Sequence, residues 1–184
     1  MVLPGHLAGG YLAATALIYF FHPGFSANQI NTLLIIGTLA GEFPDVDLIF
    51  FNIKYRHNPA NRTDSHRNYI THIPLFWLII SLLIVITGSI FNSLFTEYVG
   101  WVVLTGTWSH FLLDSIEYGI RWIAPLSNRR FALKLETQEK PTEDRPGSLM
   151  QYFHFLIRTY WRMTTFWLEI IITIIALAIF FKTI

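Results

Sequence analysis

Residues 40–51 read AGEFPDVDLIFF, with Glu42, Asp45, Asp47 and Pro44 set into an otherwise apolar run. The stretch just before it, INTLLIIGTL (30–39), carries no charge. The whole chain avoids charge. Of its 184 residues 53% are hydrophobic, 16% aromatic and only 14% charged, and the mean hydropathy is +0.44. Soluble domains carry about 25% charged residues, so the deficit points to a membrane protein. One Asp at the centre of a membrane helix costs roughly 2.5–3.5 kcal/mol, and three facing lipid would cost about 8–10 kcal/mol by addition. Such acids face a bundle interior or a wet cavity and find partners there.

Working outward, five apolar segments are expected to span the bilayer: residues 7–21, 30–51, 73–91, 94–113 and 165–181. A crossing takes about 20 residues for a core of about 30 Å. The third and fifth, IPLFWLIISLLIVITGSIF and TFWLEIIITIIALAIFF, carry a single charge, Glu169. The first is rich in Gly and Ala, which suits close helix packing. The chain therefore reads as all-α, a polytopic helical membrane protein of about five transmembrane helices forming one membrane-embedded domain over 1–184. The polar stretch 127–147, SNRRFALKLETQEKPTEDRPG, reads as a solvated cytoplasmic loop within it. There is no cysteine, which excludes disulfides and thiolate metal sites. No cleavable signal peptide is expected, because MVLPGHLAGG lacks a basic leading region. The lipid bilayer is the expected surrounding, and nothing in the pattern points to nucleic acid.

Basic residues orient the spans. Lys54, Arg56, Arg62 and Arg67 lie between the second and third segments, and Arg121, Arg129, Arg130, Lys134, Lys140, Arg145, Arg158 and Arg162 between the fourth and fifth. With five spans both loops share a side with the N-terminus, and only Lys182 falls elsewhere. The positive-inside tendency makes that side cytoplasmic, so a cell (inner) membrane protein with N-terminus inside and C-terminus outside is expected.

The same alternation collects the polar residues. His6 precedes the first segment, and Glu42, Asp45 and Asp47 end the second. His66, Arg67 and His72 precede the third, while His110 and Asp114 end the fourth. All fall on the cytoplasmic side. At about 1.5 Å per residue they lie about 22–28 Å from the far ends of their helices, which makes one slightly sunken polar layer. His110 and Asp114, four apart in SHFLLD, share a helix face. Pro44 is expected to break the helix so that Asp45 and Asp47 approach from an irregular turn. Carboxylates gathered with neutral imidazoles are what zinc or a similar divalent metal needs as ligands. Taken singly the pieces are weak. His6 alone reads as an interfacial histidine, HxxxD as a helix-pinning pair, and Glu42 as a protonated packing acid. His22, His57 and His154 read as interfacial or loop residues, Glu117 and Glu169 as solvated or structural, and Arg129 and Arg130 as cytoplasmic anchors.

Taken in order, PGHLAGG, EFPDVD, SHRNYITH, GTWSHFLLDS and APLSNRRFAL resemble the LexA-binding, inner membrane-associated hydrolases of the YdjM type, a family of membrane-bound metal-dependent hydrolases. The likeness runs from about Pro4 to Leu133. Asn68 and Ile73 depart from it, standing where relatives often carry Gly and Ser. That family is in turn similar to zinc-dependent phospholipases C and single-strand nucleases, helical enzymes that use His/Asp clusters around zinc to cleave phosphoesters. The resemblance implies a similar helical bundle and metal roles for His6, Asp45, His66, His110 and Asp114, with Asp47 and His72 as further ligands, around one to three ions. It carries no LexA association over to this chain.

The expected function is thus a membrane-bound metal-dependent hydrolase acting on a phospholipid or other amphiphilic phosphoester at the cytoplasmic interface. Asp45 or Asp47 serves as ligand, bridge or general base, and Arg67 balances phosphate charge. Two alternatives stand beside it. One is a non-catalytic membrane protein pinned by its metal, and the other an ion transporter. A layer near one face, without inverted repeats, weighs against transport.

Overall fold

The Gly41–Pro44 step ends one helix and starts the local geometry on which the rest is built. In a computed structural model, which describes residues 3–54, 66–134 and 157–183, the chain is all-helical. Its helices are α1 (Leu3–Phe21), α2 (Ala27–Ala40), α3 (Asp47–Lys54), α4 (Pro74–Ile90), α5 (Leu94–Asp114) and α6 (Thr164–Thr183). Single 3₁₀ turns cover Phe43–Val46, His66–Asn68, Ile70–His72 and Tyr160–Arg162. No strand forms among the described residues, where one isolated bridge joins Ile120 to Phe131. The 135–147 part of the expected polar loop, with His57 and His154, lies outside the described residues.

Local chemistry places the helix ends. Ser26 and Gln29 form a reciprocal capping box at the start of α2. Pro44, at the head of the 3₁₀ turn, breaks the 30–51 segment as expected, and α3 resumes only at Asp47. Pro74 opens α4, where its fixed φ suits the first turn. Ser93 caps α5 by accepting from the Thr96 amide. One expectation about ends is corrected: His6 does not precede the first helix but lies inside the first turn of α1. His66 and His72 precede α4 as expected, both in the 3₁₀ turns before it.

Two glycines bring the helices that matter into backbone contact. A Cβ on Gly10 of α1 would stand 2.2 Å from the Gly37 carbonyl oxygen of α2. A Cβ on Gly41 would stand 2.2 Å from the His6 carbonyl oxygen. Such close crossing relies on small residues and suits helices in lipid, which have no hydrophobic drive to associate. Beyond the crossing Ala14, Leu33 and Val102 pack together, joining α1, α2 and α5.

The outside of the bundle is apolar, and beside the apolar packing its inside holds a cluster of buried polar side chains. Ile35, Ile79, Leu83, Ile86, Leu112, Ile171, Ile174 and Phe181 are all more than half exposed, while His6, Asp47, His72, His110 and Asp114 are at most 1% exposed. A water-soluble fold shows the reverse, and large contiguous apolar surface marks contact with another apolar phase. One helix, α6, is long and apolar enough to cross a bilayer by itself, over Thr164–Lys182 with a mean hydropathy of 2.2. The apolar α4 has 17 residues and α2 has 14; α1 and α5 are longer but less apolar.

Candidate metal centre

Four separate stretches deliver side chains to one end of the bundle. Asp45 stands in the middle. Its Oδ1 lies 3.4 Å from His72 Nε2, 3.7 Å from His66 Nε2 and 3.9 Å from His110 Nε2, and its Oδ2 lies 4.0 Å from His6 Nε2. On the far side, Asp114 Oδ1 is 3.4 Å from His6 Nε2, and Oδ2 is 3.9 Å from His110 Nε2. The rings of His6 and His110 stack at 3.8 Å between centroids. The seven residues fall into two groups of donors: Asp45, Asp47, His66 and His72, and then His6, His110 and Asp114.

Two of the imidazoles, His72 and His110, are oriented from behind. Asp47 Oδ2 accepts from the Thr71 hydroxyl at 2.7 Å and lies 2.6 Å from His72 Nδ1. The His72 Nδ1–H therefore donates to Asp47, and its Nε2 lone pair points toward Asp45. The Trp77 indole of α4 in turn donates to the Thr71 carbonyl at 2.7 Å, pinning the turn. His110 Nδ1 donates to the Gly41 carbonyl at 2.8 Å, which aims its Nε2 at the same space. Metal-bound histidines are held in this way, with the second nitrogen donating to a carboxylate or carbonyl. Burial, with His110 nearby adding to it, pushes the His72 pKa down to about 3, so that ring is neutral at physiological pH. Neutral imidazole is the form that ligates metals.

Whether a metal fits can be judged from unsatisfied atoms. His6 Nδ1 and Nε2, Asp45 Oδ1, Asp47 Oδ1, His72 Nε2 and His110 Nε2 are buried and make no hydrogen bond among the described residues. Each such atom costs about 1–3 kcal/mol if nothing meets it. Separations of 3.4–4.0 Å are long for hydrogen bonds. They are close to the spacing of about 3.3 Å between neighbouring donors that tetrahedral bonds of about 2.0–2.1 Å produce. Nitrogen and carboxylate donors without sulfur complete the match, so the residues fit a divalent ion.

The other expected participants divide. Arg67 is buried, donates from Nε to Asp114 Oδ2 at 2.9 Å and lies over the Tyr118 ring. It is thus the counter-ion of an acid within the cluster. Asn68 offers its backbone oxygen to Arg121 and its side-chain oxygen to Arg130. Arg129 is exposed and reaches no member of the centre. His22 is exposed at the end of α1. Glu42 is half-buried beside the cluster, with a buried Oε2 that makes no hydrogen bond among the described residues.

Two acids read as solvated or structural are buried and structural. Glu117 accepts from the Thr164 and Thr165 amides and the Thr165 hydroxyl. Burial opposes its charge, but those three donors outweigh it and hold its pKa below the usual carboxylate range. Glu169 accepts from the Gly5 amide at 2.9 Å and from the Tyr160 hydroxyl. Its only signal in the sequence is that a lone charge in an apolar run must find a partner. Thr71 carried no such signal.

An all-helical chain with an apolar exterior and a buried His/Asp cluster at one end defines a membrane protein with a candidate metal centre. A family model described as YdjM inner membrane protein matches residues 1–183, and the chain belongs to that family. No curated protein and no solved structure matches it.

Proposed function

We propose that the chain is a membrane-embedded metal-dependent hydrolase that cleaves a phosphoester at the cytoplasmic membrane face. The observation that carries this reading is the convergence of four buried, unsatisfied atoms, His6 Nε2, Asp45 Oδ1, His72 Nε2 and His110 Nε2, each within 3.4–4.0 Å of another member of the cluster. The two donor groups would hold two divalent ions, and a His/Asp set without sulfur favours zinc. When bound, the ions supply Lewis acidity and a water acidified toward neutrality.

The chain's own residues do the rest. Asp45 stands between both groups, and its unbonded Oδ1 is the carboxylate oxygen positioned to ligate or to accept a proton. Asp47 is committed through Oδ2 to Thr71 and His72, so its first task is to fix that ring. Arg67 balances Asp114 and keeps the His6 side of the centre from carrying an uncompensated acid. Apolar outer faces on α1, α2, α4, α5 and α6, with the basic residues of the sequence concentrated in the two connections expected to be cytoplasmic, support five packed spans with the N-terminus inside. Placement of the cluster at the helix ends supports a lipid or other amphiphilic phosphoester as substrate.

The test is elemental analysis of detergent-purified wild type beside His110→Ala and Asp45→Asn, with hydrolysis assayed on a phosphodiester and ester panel. Bound metal and hydrolysis in wild type, lost together in both variants, is the expected result. Metal retained without hydrolysis favours an inert, helix-pinning centre. Uptake of ions into proteoliposomes favours transport. A stable, metal-free wild type sinks the proposal.

A further inference from the structure

α6 is the segment whose sequence says least about the centre, yet it is bolted to both sides of one donor group. Its Glu169 is buried, 6% exposed, and Oε1 accepts the Gly5 amide at 2.9 Å. Gly5 immediately precedes His6, and its amide belongs to the opening of α1, where amides have no partner within the helix. A Cβ on Gly5 would stand 2.8 Å from Glu169 Cγ, so the missing side chain is what admits the acid. The other carboxylate oxygen is held by Tyr160, itself 2% exposed, in the turn that leads into α6. At the head of the same helix, Glu117 caps the Thr164 and Thr165 amides. Glu117 lies three residues beyond Asp114. One helix thus ties the residue before His6 to the segment just after Asp114, and His6 Nε2 and Asp114 Oδ1 stand 3.4 Å apart between those ties.

We propose that Glu169 is a positioning residue for the His6/His110/Asp114 half of the centre, with α6 as the strut that sets the His6-to-Asp114 separation. The inference rests on the metal-centre reading above. The other half, Asp45, Asp47, His66 and His72, is held by the Thr71, Trp77 and His72 bonds and has no tie to α6 among those contacts. The consequence is selective. Loss of Glu169 should weaken one ion and spare the other.

A purely structural role for Glu169 predicts something different, and the two separate by substitution. Glu169→Leu removes the carboxylate and leaves the Gly5 amide and the Tyr160 hydroxyl without their partner, which lowers the stability of the fold. Glu169→Gln keeps an oxygen for the Gly5 amide and a polar partner for Tyr160. Full-length protein in detergent is titrated with Zn²⁺, and with Co²⁺ for its visible spectrum, alongside thermal unfolding of the metal-free forms.

The expected result is two ions in wild type, and in Glu169→Leu one ion of unchanged affinity and one weakened roughly 10- to 100-fold, as removal of outer-sphere partners does. The Co²⁺ spectrum changes for that ion alone, the metal-free variant still unfolds cooperatively though at a lowered temperature, and Glu169→Gln restores both affinities. If Glu169→Leu fails to fold, Tyr160→Phe, which removes one hydroxyl from the same clamp, should weaken the same ion by a smaller factor. Unchanged binding of both ions in Glu169→Leu, or in Tyr160→Phe where Leu does not fold, overturns the inference and leaves the metal centre standing. Equal loss of both ions also overturns it, since α6 would then be a general fold element. A wild type without bound metal overturns the metal centre and this inference together.

Discussion

The two halves of the candidate centre are built by different means. Asp45, Asp47, His66 and His72 come from 3₁₀ turns and the first residue of a short helix, and neighbours in sequence hold them: Thr71 on Asp47, Asp47 on His72, Trp77 on Thr71. His6, His110 and Asp114 come from two long helices and depend on how those helices cross. A half built from short-range bonds fails piece by piece. A half built by helix packing fails when a crossing shifts, because cores switch between arrangements and do not deform smoothly.

The largest effect expected comes from the crossing itself. Gly41→Val drives a side chain into the His6 carbonyl, where even a Cβ would lie 2.2 Å away. A loss of about 3 kcal/mol or more is expected from overpacking, with the His110 bond to Gly41 disturbed as well. Thermal unfolding in detergent and metal content should both fall sharply. Retained metal at wild-type stability would break the contrast between the halves. Next comes Asp45→Asn, which touches both groups and should lower occupancy of both, read by elemental analysis. A loss confined to one ion would show that Asp45 serves a single group.

Smaller effects sharpen the same contrast. Asp47→Asn removes the acceptor that orients His72 and should cost roughly 10- to 100-fold in affinity for one ion only. Thr71→Val should act in the same direction at about 1 kcal/mol, the net worth of one hydrogen bond. Metal titration with a competing chelator measures both. The smallest is a pH effect at α6. Glu117 has its folded pKa below the ordinary value, so its contribution is complete above the ordinary Glu range and fades as pH falls through the folded pKa. Unfolding of metal-free protein followed against pH should show that acid-side loss, and Glu117→Gln should flatten it.

Much of the candidate cluster was legible because an expected alternation of apolar segments limits choice. Alternation of segments put His6, Asp45, His66, His110 and Asp114 on one side, and helical spacing put His110 and Asp114 on one face. Pro44 announced the break that frees Asp45 and Asp47 from a continuous helix. What stayed hidden were partnerships across the chain. Glu169 and Gly5 are 164 positions apart, and no periodicity joins them. The division of labour between Asp45 and Asp47 was hidden too, because i and i+2 acids in a turn look alike until Thr71 and His72 are seen on one of them. Hydropathy located α4, α5 and α6 to within one or two residues at each end, whereas it began α1 four residues late and ran α2 and α3 together. Their polar ends and Gly/Ala stretches lower the average in the very places that build the site.

Gly41 has a consequence of its own. Its carbonyl orients His110 on α5, and its bare Cα lets the His6 backbone of α1 come in beside it. Two candidate ligands from different helices, His110 and His6, are therefore both gauged from a single residue. A displacement of that residue would shift the reference for both rings at once, so Gly41 couples the seating of α1 to that of α5.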